Sequence, residues 1–278
     1  MKGFFLRFFL IGLLPLTVIS CNPVAPEDST QSFPPTNQMR EEGPLEAYED
    51  MLRRRVNRQG RVHYAGIRRE SQALEAYLNY LEKQFPLLSE APESARMAFW
   101  VNYFNAQVLK MVVDEYPLSS VFDIGRDVSA AGREDYEKVE AEHPNHPFDA
   151  EIGRVGDKKL TLRIVRDSII RGQFRDPRLI FALSDGTASA PRLRRNTYTA
   201  EKIGAELDAA ASDFFRNPEK NILNPQNPKL SPLLKRYAED FGDDESAVID
   251  FVNAFIPVTI RPDAVIEYLP YDARLNGY

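Results

Sequence analysis

From Pro44 onward the apolar positions recur at helical spacing. Leu45, Tyr48, Met51, Leu52 and Val56 fall on one face, and Pro44 suits the first turn of a helix, where its missing N–H is not needed. Asn57 to Gly60 reads as a turn and Arg61-Val62-His63-Tyr64 as a short strand. Ser71 is placed to cap a helix over Leu74 to Gln84, with Leu74, Tyr77, Leu78 and Leu81 on one face, and Pro86 stops it. Glu93 to Glu115 is apolar nearly all round, which predicts a central buried helix; Pro117 ends it.

The second half is less regular. Gly125 to Ala150 is polar and reads as a long loop. Leu160 to Phe174 has a helical pattern with Ile164, Ile169 and Ile170 inward. Arg178 to Leu183 is an apolar run between Pro177 and Asp185-Gly186, which predicts a strand followed by a loop over Ser184 to Leu193. Thr199 would cap a helix running to Phe215, and Asn217 to Pro228 is coil. Ser231-Pro232 opens a helix to Asp240, Asp244 to Phe255 forms another, and Val265 to Leu269 is a closing strand. No internal repeat is visible. This order predicts an α+β fold: one predominantly helical domain over 44–278 with a small β-sheet and a central apolar helix.

Upstream the pattern changes character. Lys2 and Arg7 precede an apolar run from Phe8 to Val18, shorter than the roughly 20 residues a bilayer-spanning helix needs. Val18-Ile19-Ser20-Cys21 follows, with an aliphatic residue three positions before a cysteine, as in a lipobox. The segment 1–20 is therefore expected to be a lipoprotein signal peptide, cut before Cys21. Cys21 is expected to carry acyl chains, palmitate among them, each buried methylene contributing about 0.8 kcal/mol of membrane affinity. Residues 21–43, with Pro23, Pro26, Pro34 and Pro35, form a flexible tether of up to roughly 65 Å at ~3.1 Å per residue. The localisation expected is the cell envelope of a bacterium, lipid-anchored and facing periplasm or exterior. Asn22 follows the cysteine in place of a retention-type Asp, which favours the outer over the inner membrane.

Composition narrows the chemistry. The formal charge is -6, and losing Lys2 and Arg7 makes the mature chain two charges more negative. Arg53-Arg54-Arg55 sits among acids as one turn of a solvated helix. Nucleic acid is not an expected partner, because phosphate contacts need a clustered basic footprint. Cys21 is the single cysteine of 278 residues, so an acylated chain has no thiol left for a disulfide, a metal or a nucleophile. His143 and His146 could ligate zinc with His63, Glu142 or Asp149, but Pro144 and Pro147 make that segment stiff and extended, and neither a metal nor another cofactor is expected. Glu239, Asp240, Asp243, Asp244 and Glu245 lack calcium-loop spacing and read as a solvated helix junction.

Several segments together carry a resemblance. They are Gly60-Arg61-Val62-His63-Tyr64, Ala98 to Ala106, Tyr116-Pro117-Leu118-Ser119-Ser120-Val121, Gln173 to Arg178, Phe181-Ala182-Leu183, Ser231 to Lys235 and Tyr271 to Asn276. In this order, over roughly 44–278, the chain resembles the bacterial and plant family called domain of unknown function 547. Members of that family usually carry Ile-Glu-His-Gly where this chain has Val165-Arg166-Asp167-Ser168, and a His where it has Ile180. They usually read Asn-Cys-Ala-Ser-x-Ser-Cys-Pro where it has Ser184-Asp185-Gly186-Thr187-Ala188-Ser189-Ala190-Pro191. A Cys-His-Glu cluster can transfer acyl or amide groups through a thiolate nucleophile. The resemblance therefore implies a scaffold retained and a reactive set replaced: a pseudoenzyme.

The candidate pocket is Trp100, Asn102, Tyr103, Asn105, Asp167, Arg171, Ser184, Asp185, Thr187 and Ser189. Asn102 and Asn105 share a face of the central helix, and either line a pocket beside Trp100 and Tyr103 or tie loop backbone down. Arg171 either pairs with an acid or meets a ligand. Asp185-Gly186 is either part of a binding loop or a plain turn. A serine nucleophile would need an activating base, and the chain has three His. Two functions follow. One is a non-catalytic envelope lipoprotein binding a peptide, glycan or protein partner. The other is a hydrolase or transferase with a rebuilt site of Asp185, Asp167 and a serine; no catalytic residue is assigned.

Overall fold

The computed structural model describes residues 43–125, 146–242 and 244–278. The segments expected to be a signal peptide and a tether, with Cys21, lie outside the described residues, as do Glu142, His143 and Asp243. The fold is α+β and predominantly helical. No helix among the described residues is long and apolar enough to cross a membrane.

Four helices open the domain: α1 (Pro44–Arg55), α2 (Tyr64–Arg69), α3 (Ser71–Glu82) and α4 (Glu93–Glu115). The stripe of α1 buries Tyr48, Met51 and Leu52, and Tyr48 stacks on Tyr77 of α3 at 4.1 Å. Every side chain of α4 from Ala98 to Val113 is buried except Asn102, Lys110 and Met111. It is the central helix its all-round apolarity predicts. Two expectations are corrected here. Ser71 is the first helical residue and caps nothing with its side chain. The strand over 61–64 shrinks to Val62, which bridges Val56 and Gly277, because Tyr64 already begins α2.

A hairpin of β1 (Glu151–Val155) and β2 (Lys158–Thr161) follows, antiparallel. Its turn is Gly156-Asp157, with Gly156 at φ +58°, where a side chain would be strained. Leu160, expected to start a helix, belongs to β2. The next helix is a π-helix over Ile164–Arg171, extended by Gly172–Phe174. Its wider turn alters which side faces inward. Val165 and Ile170, five apart, are buried, whereas Ile164 is 38% exposed rather than inward.

The expected strand Arg178–Leu183 is instead a 3-10 turn, Pro177–Ala182. Asp176 caps it by accepting from the Arg178 N–H at 3.0 Å, and Pro177 supplies the fixed φ of a first turn. A short apolar run buried on all sides fits either state by pattern alone. Here it faces two ways. Leu179, Ala182 and Leu183 join the apolar cluster around α4, while Ile180 and Phe181 join a second cluster.

That second cluster is built by α5 (Ile203–Phe215), α6 (Pro232–Arg236) and α7 (Glu245–Asn253). Phe181 is its hub, 4.8 Å from Phe215 and 5.1 Å from Phe214 by ring centroid. Ser231 caps α6 as expected, whereas Asp244, expected as the first residue of a helix, is instead the cap of α7, accepting from the Ala247 N–H at 3.0 Å. Thr199 does not cap α5, which starts at Ile203; its N–H donates to the Glu206 carboxylate at 2.9 Å. β3 (Lys229–Leu230) pairs in parallel with β4 (Glu267–Tyr268).

Residues 271–278 then run back past three separate segments. Tyr278 N–H donates to Val62 O, and Val62 N–H to Asn276 O at 3.1 Å. Leu275 N–H donates to Ser119 O, and Ser120 Oγ to Ala273 O at 2.7 Å. Ala188 N–H donates to Arg274 O, and Asn276 N–H to Gly186 O at 2.9 Å. Deleting 271–278 would orphan the groups at buried Val62, Ser120 and Gly186 at a cost of about 1–3 kcal/mol each, and expose those at Ser119 and Ala188 to water. The truncated chain is expected to lose its cooperative urea transition followed by circular dichroism. A transition within about 1 kcal/mol of the full chain's would mean the tail is an ornament.

Candidate functional site

The loop 184–191 lacks regular structure, yet Ser184, Thr187, Ser189, Ala190 and Pro191 are buried. Its polar groups therefore need partners. Asn105 supplies them on one side: its amide donates to Ala182 O at 2.9 Å and accepts from Ser184 N–H at 2.8 Å. Asn102 holds Tyr198 in the same two-handed way, both bonds 2.8 Å. Of the two readings open in the sequence, the structure gives both asparagines the second. They bind backbone and do not present free amides to a pocket. The tail supplies the other side: Ser189 N–H donates to Asp272 O, and Ser189 Oγ accepts from Asp272 N–H at 2.7 Å. Ser184 Oγ meets the Asn276 amide at 3.5 Å.

Three of the segments expected to depart from the family pattern converge. Arg166 from the π-helix, Ile180 from the 3-10 turn and Asp185 from the loop line one small cavity, with Phe104, Leu183 and Tyr237. The cavity measures about 20 Å³, room for about one water. Ile180 is 4% exposed and Arg166 7%. The Arg166 guanidinium fills the space, 5.6 Å from the Phe148 ring centre and 5.8 Å from that of Tyr237. It also grips the neighbouring Asp167 with two bonds, 2.9 and 3.0 Å.

Asp167 and Arg171 belong to that ionic network rather than to an open surface. Arg171 donates to Asp167 at 3.1 Å, to both oxygens of Asp240 at 2.6 and 2.9 Å, and to Glu239 at 2.8 Å. Its guanidinium lies 4.6 Å from the Tyr237 ring centre. Burial pushes the Asp167 carboxyl up, but Arg166 and Arg171 outweigh it and hold Asp167 below the usual carboxylate range. Two of the acids read as a solvated junction are thus the partners of Arg171. Asp185 has different company: it accepts from Thr187 N–H and Oγ1 at 2.9 and 2.7 Å and from the Tyr271 hydroxyl at 2.9 Å. Among the described residues no hydrogen bond joins Asp185 to Asp167 or to a serine. Trp100 and Tyr103 sit apart in an aromatic cluster with Phe85 and Phe99. His146 Nδ1 accepts from Phe148 N–H, and no group of three metal-ligating side chains occurs among the described residues.

The residue that sequence reasoning missed is Lys220. It lies in the coil between α5 and β3, where nothing in the local pattern marks it. Its Nζ donates to Ala188 O at 2.9 Å and to Ala190 O, so it is the third clamp on the loop. Burial pushes its ammonium down to about 8, against the opposing pull of Asp185, Glu219 and Asp272. Two polar cavities adjoin it, of about 230 and 270 Å³.

Two outcomes follow. Asn105→Ala orphans two buried backbone groups and is expected to lose roughly 2–4 kcal/mol in urea unfolding; a loss below about 1 kcal/mol would show the loop held by other means. Lys220 binds its proton less tightly folded, at about 8, than unfolded, at about 10.5. Between those values the unfolded chain carries more protons, so stability rises with pH across the window. The stability of the wild type relative to Lys220→Met should therefore climb from pH 8 to 10.5. A flat difference would place the Lys220 proton at its ordinary pKa.

No curated protein and no solved structure matches the chain. The family model described as "Protein of unknown function, DUF547" matches residues 88–215, from just before α4 to the end of α5. Over that stretch, which holds Arg166, Ile180 and the loop 184–191, this chain resembles the DUF547 family, as its motifs imply.

Proposed function

We propose that this chain is a lipid-anchored protein of the bacterial cell envelope whose folded domain binds a partner without transforming it. The observation that carries the reading is the cavity of about 20 Å³ where the replaced segments meet. Related chains would bring a thiol, an imidazole and a carboxylate to these positions. Here they are Asp185, Ile180 and an arginine already paired with Asp167. An arginine in this setting does not deprotonate and serves poorly as a base, and a space of one water admits no substrate. The serines of the loop accept from Asp272 N–H and the Asn276 amide, and no histidine meets them among the described residues. The rebuilt hydrolase is therefore the weaker reading. The anchor rests on Phe8–Val18 and the lipobox at Cys21. In this reading the outer membrane is the favoured location, and the partner is an envelope peptide, glycan or protein.

The test has two arms. Labelled palmitate should enter the wild-type chain in cells and be lost in Cys21→Ala, which should also leave the membrane fraction. The purified chain should hydrolyse activated esters and anilides no faster than buffer. Turnover that disappears in Asp185→Ala would overturn the non-catalytic reading, and unlabelled wild type would overturn the anchor.

A further inference from the structure

The two cavities beside Lys220 share a wall of Arg61, Ala188, Glu219, Lys220 and Arg274. Lys220 Nζ has three donors, and two are used by the carbonyls of Ala188 and Ala190. No carboxylate lies in ion-pair contact with it among the described residues; its Nζ lies 5.7 Å from the Phe214 ring centre, and burial lowers its pKa to about 8, which leaves it charged at neutral pH. A buried charge without a counter-ion is costly. The other cations of the wall are exposed: Arg61 meets Glu219 loosely at 3.9 Å with half of its side chain in solvent, whereas Arg274, 80% exposed, is held by Asp272 at 2.5 and 2.9 Å. The polar side chains of the walls include Gln59, Asn217 and Asn276 on one side of Lys220 and Ser189, Ser231 and Asp272 on the other, beside apolar Pro191, Leu275, Leu269 and Pro270.

We propose that these adjoining cavities form a binding site for the oxyanion of a small polar acid, the Lys220 ammonium giving its third N–H to the anion and Arg61 turning from Glu219 to cover it. This deepens the binding reading above, on which it rests, by naming the chemical class of the ligand and a place distinct from the closed cavity at Arg166. Carboxylate and phosphate share the chemistry of the site, and the size of the cavities admits a small solute rather than a bare ion. The anion would complete the clamp that Lys220 places on the loop, so occupancy and loop order are coupled.

The full chain, purified in detergent, is titrated with acetate, succinate and inorganic phosphate against chloride at equal ionic strength, following its melting temperature. At least one oxyanion should raise the melt by a few degrees when it is about 100 times above its Kd. Response to phosphate alone would assign the site to phosphate esters, and response to acetate or succinate to carboxylic acids. Lys220→Met should lose the shift, and Lys220→Arg should recover part of it. Because Lys220→Met also releases two carbonyls, Arg61→Gln serves as the variant that leaves the clamp intact; it should weaken the affinity about threefold to tenfold without changing the unliganded melt. No shift beyond chloride for any of the three anions, or a shift that survives both Lys220→Met and Arg61→Gln, overturns the site. Either result leaves the palmitate and turnover tests standing, so the two proposals fail separately.

Discussion

A loop that is buried without belonging to a helix or a sheet must find hydrogen-bond partners one group at a time. The loop 184–191 meets that constraint from three directions: the Asn105 amide on α4, the backbone of 271–276, and the Lys220 ammonium. Each partner arrives from a distant part of the chain. Much of the architecture follows from this. The central helix carries asparagines on an otherwise apolar face because the loop and the Tyr198 segment lie against them. The tail returns across the domain because the loop, Val62 and Ser119 all need its backbone.

The same constraint binds the segments that carry the family resemblance to one another. Gly60 to Tyr64, Tyr116 to Val121 and Tyr271 to Asn276 hold one another through backbone bonds and through the Tyr64 hydroxyl, which donates to Asn276 Oδ1 at 2.6 Å. None of those contacts depends on the side chains at positions 166, 180 and 185. The closed cavity is then a packing solution: Arg166 and Asp167 satisfy each other, and Tyr237 and Phe148 cover the guanidinium.

How much of this was legible in the sequence varies with the physical range of the signal. Helix α4 runs over the residues its apolarity predicts, and the cap at Ser231 stands where Ser231-Pro232 puts it. These are local effects. The Gly156-Asp157 turn was also a local signal, and the hairpin it closes escaped because Leu160 fitted a helical period equally well. The run Arg178 to Leu183 could not be assigned by pattern, since a segment buried on both sides has no polar face to reveal its period. At the site, the pairing of Arg171 with an acid was readable as an alternative, whereas the burial of Lys220 is set by residues some thirty positions away and leaves no trace nearby.

The tail has a kinetic side as well. The bond from Tyr64 to Asn276 spans 212 residues of chain, and loops of that length close late and slowly. Until the tail has been made and docked, the 184–191 loop lacks half of its partners, so the helices can collapse around α4 before the loop can settle. The loop is therefore fully partnered only in a chain whose two ends have met.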